Sequence, residues 1–488
     1  MEEVSELIVV GAGIAGLNAL AVASGHLSPH DRVVLVDSRP RAGGMWVDTY
    51  DFVRLHQPYA IFTAGTIAWE LGEVPSHLAS RAEVLDHLGH CVDVARTKVE
   101  LEERFGWECV GHAEAGGIVT VTLRGPDGRT ETLATKRLIK AFGNRVVPSA
   151  PLPIASAAVF STTPEELPGA LAQRREDQGP IWIIGSGKTA MDVALMLRRE
   201  SPGREIDMVA GSGTLFSRRE TFFPTGARRW YGGTRINAML REASLRFDGT
   251  NEQAVAAWFA DAYGISPSAA PASFFSAYLS DQECADVRAT VRRSEPGYLQ
   301  DVVDTSDGAA LVFRDGRSLP IPAGSWVVNC TGYLARPGHP YEPFASDTGN
   351  VLSIQLRSSV MGPFTSFAGY YLAHLMFRRK LHAARLYELD VEGLAARSRS
   401  AVVWASFTLA MYNLGRVARN VPPKVMFDCG LDFDRWYPQA RRLAGATAFL
   451  ATQRRDARHY RSTLDALGKR FDVRAGPLHD AGTVTAAG

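Results

Sequence analysis

Two glycine fingerprints stand far apart in this 488-residue chain, Gly11-Ala12-Gly13-Ile14-Ala15-Gly16 and Gly185-Ser186-Gly187-Lys188-Thr189-Ala190, each behind a run of apolar, β-prone residues. A strand that ends in such a turn and passes straight into a helix is the unit that holds a dinucleotide. Glycine permits the tight turn, the backbone comes close to a pyrophosphate, and the helix N-terminus offers it free N–H groups. Two copies predict two dinucleotides and an α/β fold with two Rossmann-like dinucleotide-binding domains.

The first copy is nearly complete. Residues 7–10 read as a buried parallel strand, Gly11 makes the turn, Gly13 lets the backbone approach the phosphates, and Gly16 allows close helix–sheet contact. A second strand, 32–36, leads to Asp37, about 20 residues past the glycines, where the fingerprint places an acid on a ribose diol. A carboxylate there repels a 2′-phosphate, so the site selects FAD or NAD over NADP. The competing reading, a glycine-rich turn without a ligand, does not explain why strand, glycines, helix and acid stand in register.

The second copy differs. Residues 180–184 are its strand, and Ala190 takes the place of the third glycine. Gly187-Lys188-Thr189 imitates the end of a P-loop, but that motif needs a glycine five residues before Gly187, and position 182 is Trp. Lys188 is expected near the second pyrophosphate or in solvent. No acid follows the next strand, 206–209; the chain instead reaches Arg218-Arg219 and later Arg228-Arg229. Guanidinium groups pair with phosphate, which favours NADPH over NADH. A solvated basic turn is the competing reading for each arginine.

Composition limits the partners. With 46% hydrophobic and 22% charged residues the chain can bury two cores, and a net charge of +1 gives nucleic acid no purchase. The acidic start, Met-Glu-Glu-Val-Ser-Glu, is no signal peptide, and no apolar run reaches the roughly 18 residues of a membrane span. Residues 401–415 come nearest and read as a buried helix. The cysteines at 91, 109, 284, 330 and 429 form no Cys-x-x-Cys, which disfavours a disulfide reductase; scattered thiols suit a cytoplasmic location. His87, His90 and Cys91 imitate metal ligands without a second cluster, so no metal is expected and a helix surface is the reading. Nothing in the sequence specifies an oligomeric state.

An internal echo links the two copies. Residues 119–124, the turn Pro126-Asp127-Gly128 and residues 130–133 read as a hairpin, followed by a strand 138–142 ending at Gly143. Residues 310–314, the turn Asp315-Gly316 and residues 318–321 repeat it, followed by a strand 326–330 ending at Thr331-Gly332.

The segment Arg41-Ala42-Gly43-Gly44-Met45-Trp46 resembles the Gly-Gly-x-Trp region of class B flavin monooxygenases, the group of heteroatom-oxidising, N-hydroxylating and Baeyer–Villiger enzymes. The resemblance covers roughly residues 7–381. It implies FAD at the first fingerprint and, with Ala190, NADPH at the second. It further implies an NADPH domain inserted into a sequence-split FAD domain, with the strand ends at Gly143 and Thr331-Gly332 as the crossovers. The expected divisions are 1–150 (FAD, first part), 151–323 (NADPH, with a helical insert at 211–299 whose aromatics, Phe222, Phe223, Trp230 and Tyr231 among them, are expected mostly as its core packing), 324–400 (FAD, second part) and 401–488 (C-terminal helical region and tail). No chemistry is inferred from the Arg-rich amphipathic helix expected at 441–474.

By the same resemblance, FAD contacts fall on both glycine segments, on Asp37, Ser38, Arg39, Val110 and Gly143, and on Thr365-Ser366 at the start of a closing helix. NADPH contacts fall on residues 185–189 and on Arg218 and Arg219, with Thr331 and Gly332 at the crossover. His56, with Gln57 as second choice, takes the place of a polar residue at the reactive edge of the flavin; the competing role for His56 is structural. The implied reaction passes hydride from NADPH to flavin, adds O2 to form a C4a-hydroperoxide, and delivers one oxygen atom to a small organic substrate. One departure narrows the substrate. The Phe-x-Gly-x-x-x-His motif of Baeyer–Villiger enzymes has no counterpart, because residues 146–184 contain no His. A nitrogen or sulfur nucleophile is therefore preferred over a ketone. The alternatives are a reductase, dehydrogenase or oxidase without oxygen insertion, and a non-catalytic nucleotide-binding protein.

Overall fold

The computed structural model describes residues 4–142, 147–269, 271–332 and 338–477. Strands β1 (Leu7–Val10), β2 (Arg32–Asp37) and β3 (Glu100–Phe105) run parallel. The antiparallel meander β4 (Glu108–Ala115), β5 (Ile118–Arg124) and β6 (Thr130–Thr135) follows, and β7 (Leu138–Lys140) returns beside β1. A second cycle repeats the plan. It opens with β8 (Phe160–Thr162), β9 (Ile181–Ile184) and β10 (Ile206–Gly211), and then carries an insert with β11 (Thr214–Arg218), β12 (Gly264–Ile265) and β13 (Ser273–Leu279). After β14 (Arg293–Pro296), a second meander, β15 (Leu299–Thr305), β16 (Gly308–Phe313) and β17 (Ser318–Ile321), leads to β18 (Trp326–Asn329). Finally β19 (Val351–Ser353) pairs in parallel with β7. The first sheet has the order β19-β7-β1-β2-β3 and the second β14-β10-β9-β18-β8. The chain thus leaves the first sheet, builds the second, and comes back.

The unbroken apolar runs at both fingerprints have a common cause. Side chains alternate across a strand, and both faces of each sheet are covered. Leu7 and Val9 join a core with the fingerprint helix, whereas Ile8 and Val10 join a core with Val119, Val121 and Leu123 of the meander. In the second sheet Ile181 and Ile183 face the helices, and Trp182 and Ile184 face Leu311 and Phe313.

Three sequence expectations change. The boundary at 323 falls too early, because β18 pairs with β9 and therefore stays in the second sheet. The insert is not purely helical: β11 pairs with β12 and β13, beside the helices Ile236–Arg246 and Glu252–Tyr263. Nor does the insert bury its aromatics alone. Phe222, Phe247 and Phe259 share one core with Trp404, Phe407, Tyr460 and Leu464 from the helices Arg399–Val417 and Gln439–Phe471. The buried helix expected at 401–415 is the first of these, and the second is the expected Arg-rich helix. Trp230 and Tyr231 are exposed rather than core residues. No helix among the described residues is long and apolar enough to cross a membrane.

Candidate functional site

At the first fingerprint Gly11 has φ +105° and its N–H donates to Val36 O at 2.7 Å, which closes the turn. A Cβ on Gly16 would lie 1.8 Å from Gly11 O, and one on Gly44 2.8 Å from Gly13 Cα. The two glycine segments therefore meet backbone to backbone, a cradle that any side chain would fill. The helix Ile14–Ala23 starts with no capping side chain and no acid in its first turn, so its N–H groups are left for an anion. Asp37 is buried at the end of β2, accepting from Ala12 N–H at 2.6 Å and Arg39 N–H at 2.8 Å. Trp107 N–H donates to Asp37 O, and three residues on Val110 stands 44% exposed at a bulge in β4. Ser38 and Met45 are exposed, and Trp46 is half-buried with its edge toward Phe62. These features fit an FAD laid from Asp37 across the fingerprint.

The closing helix, Thr365–Phe377, packs directly on the fingerprint helix; a Cβ on Gly369 would be 2.1 Å from Ala15 O. Its N-terminus at Thr365-Ser366 also lacks a side-chain cap. Beneath it a cavity of about 10 Å³, lined by Ser353, Gln355, Ser358 and Thr365, leaves Gln355 Oε1 and Ser358 Oγ buried without a hydrogen-bond partner among the described residues. Sequence reasoning missed both residues, which belong to no motif. Gly143 lies outside the described residues.

At the second fingerprint Gly185 has φ +115° and donates to Val209 O at 2.8 Å, and a Cβ on Gly187 would meet nothing within 4 Å. The helix Lys188–Glu200 again has no side-chain cap and no acid in its first turn. This open N-terminus fits a second pyrophosphate. Ser186 turns inward, its Oγ donating to Ala210 O at 2.7 Å. Thr331 and Gly332 are exposed just beyond Cys330, whose carbonyl oxygen lies 3.0 Å from a Cβ placed on Gly185.

Lys188 is largely buried rather than in solvent. Its ammonium pairs with Asp192 one turn along, and Asp192 Oδ2 accepts from Tyr50 OH at 2.9 Å. Burial pushes the Asp192 carboxyl up, against the charge of Lys188. The start of the second fingerprint helix is thereby tied to the segment that follows Gly43-Gly44. The i,i+4 spacing of Lys188 and Asp192 is the signal that sequence reading left unused.

His56 sits at this junction. Tyr278 N–H donates to its Nδ1 at 3.2 Å and the two rings stack at 5.4 Å, so the imidazole proton is on Nε2. Burial, helped by the charges of Lys188 and Arg219, pushes its pKa down to about 3. Gln57 is buried with Oε1 unpartnered among the described residues. Arg219 does not await a phosphate: its Nε donates to His56 O at 2.9 Å and its Nη2 to Glu283 at 2.7 Å. Arg218 faces Asp281 at 3.3 Å. His87, read as part of a helix surface, is buried against Trp69 with Nε2 2.8 Å from Thr63 Oγ1.

Residues 5–231 match the family model described as pyridine nucleotide-disulphide oxidoreductase. Uncharacterized proteins of Mycobacterium tuberculosis and Mycobacterium bovis are each 27% identical over 403 aligned residues, covering 76% of this chain and 67% of their own. Among solved structures, the FAD-bound cadaverine monooxygenase of Erwinia amylovora superposes with a TM-score of 0.50 at 12% identity, covering 78% of this chain and 95% of that one. A flavin-containing monooxygenase of Stenotrophomonas maltophilia gives 0.46 at 15% identity over 77% and 98% of the two chains. The first of these likenesses is one of fold alone. The matched span carries only Cys91 and Cys109, and they form no disulfide. All five thiols are free, and Cys330, the one beside Gly185, is buried, which pushes its pKa well up, with the carboxylates of Glu165 and Asp192 adding to the shift.

Proposed function

We propose that this chain is an FAD- and NADPH-dependent monooxygenase that transfers one oxygen atom from O2 to a nitrogen or sulfur nucleophile of a small organic molecule. The observation that carries the reading is the junction itself. The helix of the second nucleotide site begins against residues 50–57 of the first, through Tyr50, Asp192, Lys188 and His56, so the two nucleotides would meet at a polar, largely buried contact. FAD, when bound, supplies hydride acceptance and oxygen activation.

The chain's own residues supply the rest. Asp37 holds a ribose, the two glycine segments admit a pyrophosphate, and the closing helix turns its N-terminus toward a ring. His56 Nε2–H is a neutral donor aimed by Tyr278, suited to hydrogen-bonding a reactive oxygen without a titrating proton of its own. The Tyr278 ring and the Phe222 and Phe223 beside it exclude water, which protects such an oxygen from loss as peroxide. Disulfide reduction is disfavoured because a lone buried thiol of raised pKa cannot exchange with a substrate disulfide. Ketone insertion is disfavoured by the missing linker His. Free thiols suit a reducing compartment, which makes the cytoplasm the proposed location.

The test is product analysis under isotopically labelled dioxygen. Purified protein should be yellow with FAD, oxidise NADPH faster with the right amine, amino acid or thioether, and place one labelled oxygen in the product. Hydrogen peroxide as the sole product from every candidate would move the reading to an oxidase, and a protein that takes up no FAD would end it.

A further inference from the structure

We propose that Tyr298 and Arg314 form the subsite for the adenosine 2′-phosphate end of the nucleotide at the second fingerprint. This rests on the NADPH reading above, and it replaces the assignment to Arg218 and Arg219. Gly11 N–H and Gly185 N–H donate to Val36 O and Val209 O, so Ala210 holds the place of Asp37 and Gly211 follows it at the end of β10; a ribose 2′-substituent at the second site arrives there without meeting an acid.

What stands beside Gly211 comes from the second meander. Gly297 N–H donates to Gly211 O at 2.9 Å, and a Cβ on Gly211 would be 3.2 Å from the Tyr298 ring. A glycine is thus required next to an aromatic ring that remains 52% exposed, a flat apolar surface at the mouth of the site. Arg314 follows β16, donates its N–H to Tyr298 O at 2.9 Å, and holds its guanidinium 5.7 Å from the ring centroid. Among the described residues it pairs with no carboxylate. Its neighbours are engaged: Arg317 with Asp315, and Glu295, on the same edge, with Arg293 and Arg317. Ser212 adds a hydroxyl, paired with Ser273 Oγ at 2.7 Å. An adenine stacks on Tyr298 while the uncompensated Arg314 and Ser212 take the 2′-phosphate.

Arg218 and Arg219 are carried away from this point. Strand β11 starts at Thr214, whose Oγ1 is 3.0 Å from Ser186, and four extended residues displace Arg218 by about 13 Å.

The experiment titrates the full-length protein with adenosine 2′,5′-bisphosphate and with 5′-AMP by calorimetry, with FAD content and Tm recorded for each variant. Arg314→Ala is expected to weaken the bisphosphate by about tenfold or more while barely changing 5′-AMP. Tyr298→Ala should weaken both ligands, Tyr298→Phe should restore them, and Arg218→Ala should leave both unchanged. Wild-type affinity in Arg314→Ala and Tyr298→Ala, or selective loss in Arg218→Ala, overturns the subsite while leaving NADPH use intact. A wild-type protein that holds FAD but binds neither the bisphosphate nor NADPH defeats the nucleotide assignment itself, and the subsite with it.

Discussion

A neutral imidazole with its proton on Nε2 donates at any working pH, because His56 ionises only near pH 3. The pH–rate profile should therefore show no inflection near 6.5 from this residue. Replacing it tests its role as donor: in His56→Ala, NADPH oxidation should persist while oxygenated product falls by on the order of a hundredfold and peroxide rises, measured as peroxide formed per NADPH consumed. Peroxide yields equal to wild type would reduce His56 to a structural partner of Tyr278. Asp37→Ala removes the acceptor at the ribose and leaves Ala12 N–H without a partner, so the purified variant should carry less FAD by its visible absorbance. Fingerprint spacing pointed to Asp37 from sequence alone. His56 was marked by resemblance, but its tautomer follows from a contact 222 residues away.

At the scale of elements, the second fingerprint helix is held to the segment after Gly43-Gly44 through Tyr50, whose OH donates to Asp192, and Asp192 pairs with Lys188 of its own helix, both side chains mostly buried, Lys188 at 15% and Asp192 at 9% exposure. Removing one partner leaves a buried charge. Lys188→Met is expected to cost about 3 kcal/mol in chemical denaturation, and Lys188→Met with Asp192→Leu should regain much of that loss. Additive losses in the pair would refute the coupling. The two helices at the FAD site make a steric counterpart: Gly369→Val would force a side chain where Ala15 O already stands, destabilising by roughly 1–3 kcal/mol and releasing FAD, detected as a lower denaturation midpoint and a paler protein. Strands were legible as apolar runs because both faces are covered. The insert's small sheet was not, since β11 pairs with a strand 59 to 61 residues further on whose partner local pattern does not name.

For the whole molecule, three histidines, His87 buried and His56 and His374 half-buried, are held neutral: His56 and His87 with pKa pushed to about 3, His374 to about 4, in each case chiefly by desolvation. The unfolded chain binds protons near pH 6.5, so it takes up more protons than the native state below that value. Stability should be full above about 6.5 and fall as the pH drops toward 4, a trend that His87→Gln would flatten in a Tm series. The core shared by the insert and the C-terminal helices predicts another long-range effect. Leu464→Ala, in the C-terminal helix, should cost about 2–5 kcal/mol and expose the distant insert to protease, because Phe247 and Trp404 pack in the same cluster.

While the return of the chain to its first sheet was implied only by the family resemblance, the sequence by itself determined the two nucleotide turns, the acid at Asp37 and the repeated hairpins. These are local patterns whose meaning is set by strand and helix periodicity and by the room that glycine leaves. Tertiary structure alone decided where the charges go. Lys188 and Arg219 look alike on paper as phosphate ligands, yet carboxylates claim both, while Arg314, unremarkable in a hairpin turn, pairs with none among the described residues and stands over Tyr298. A cation's task depends on which anion reaches it first in space, and for Arg219 and Arg314 that is settled by residues distant in the chain.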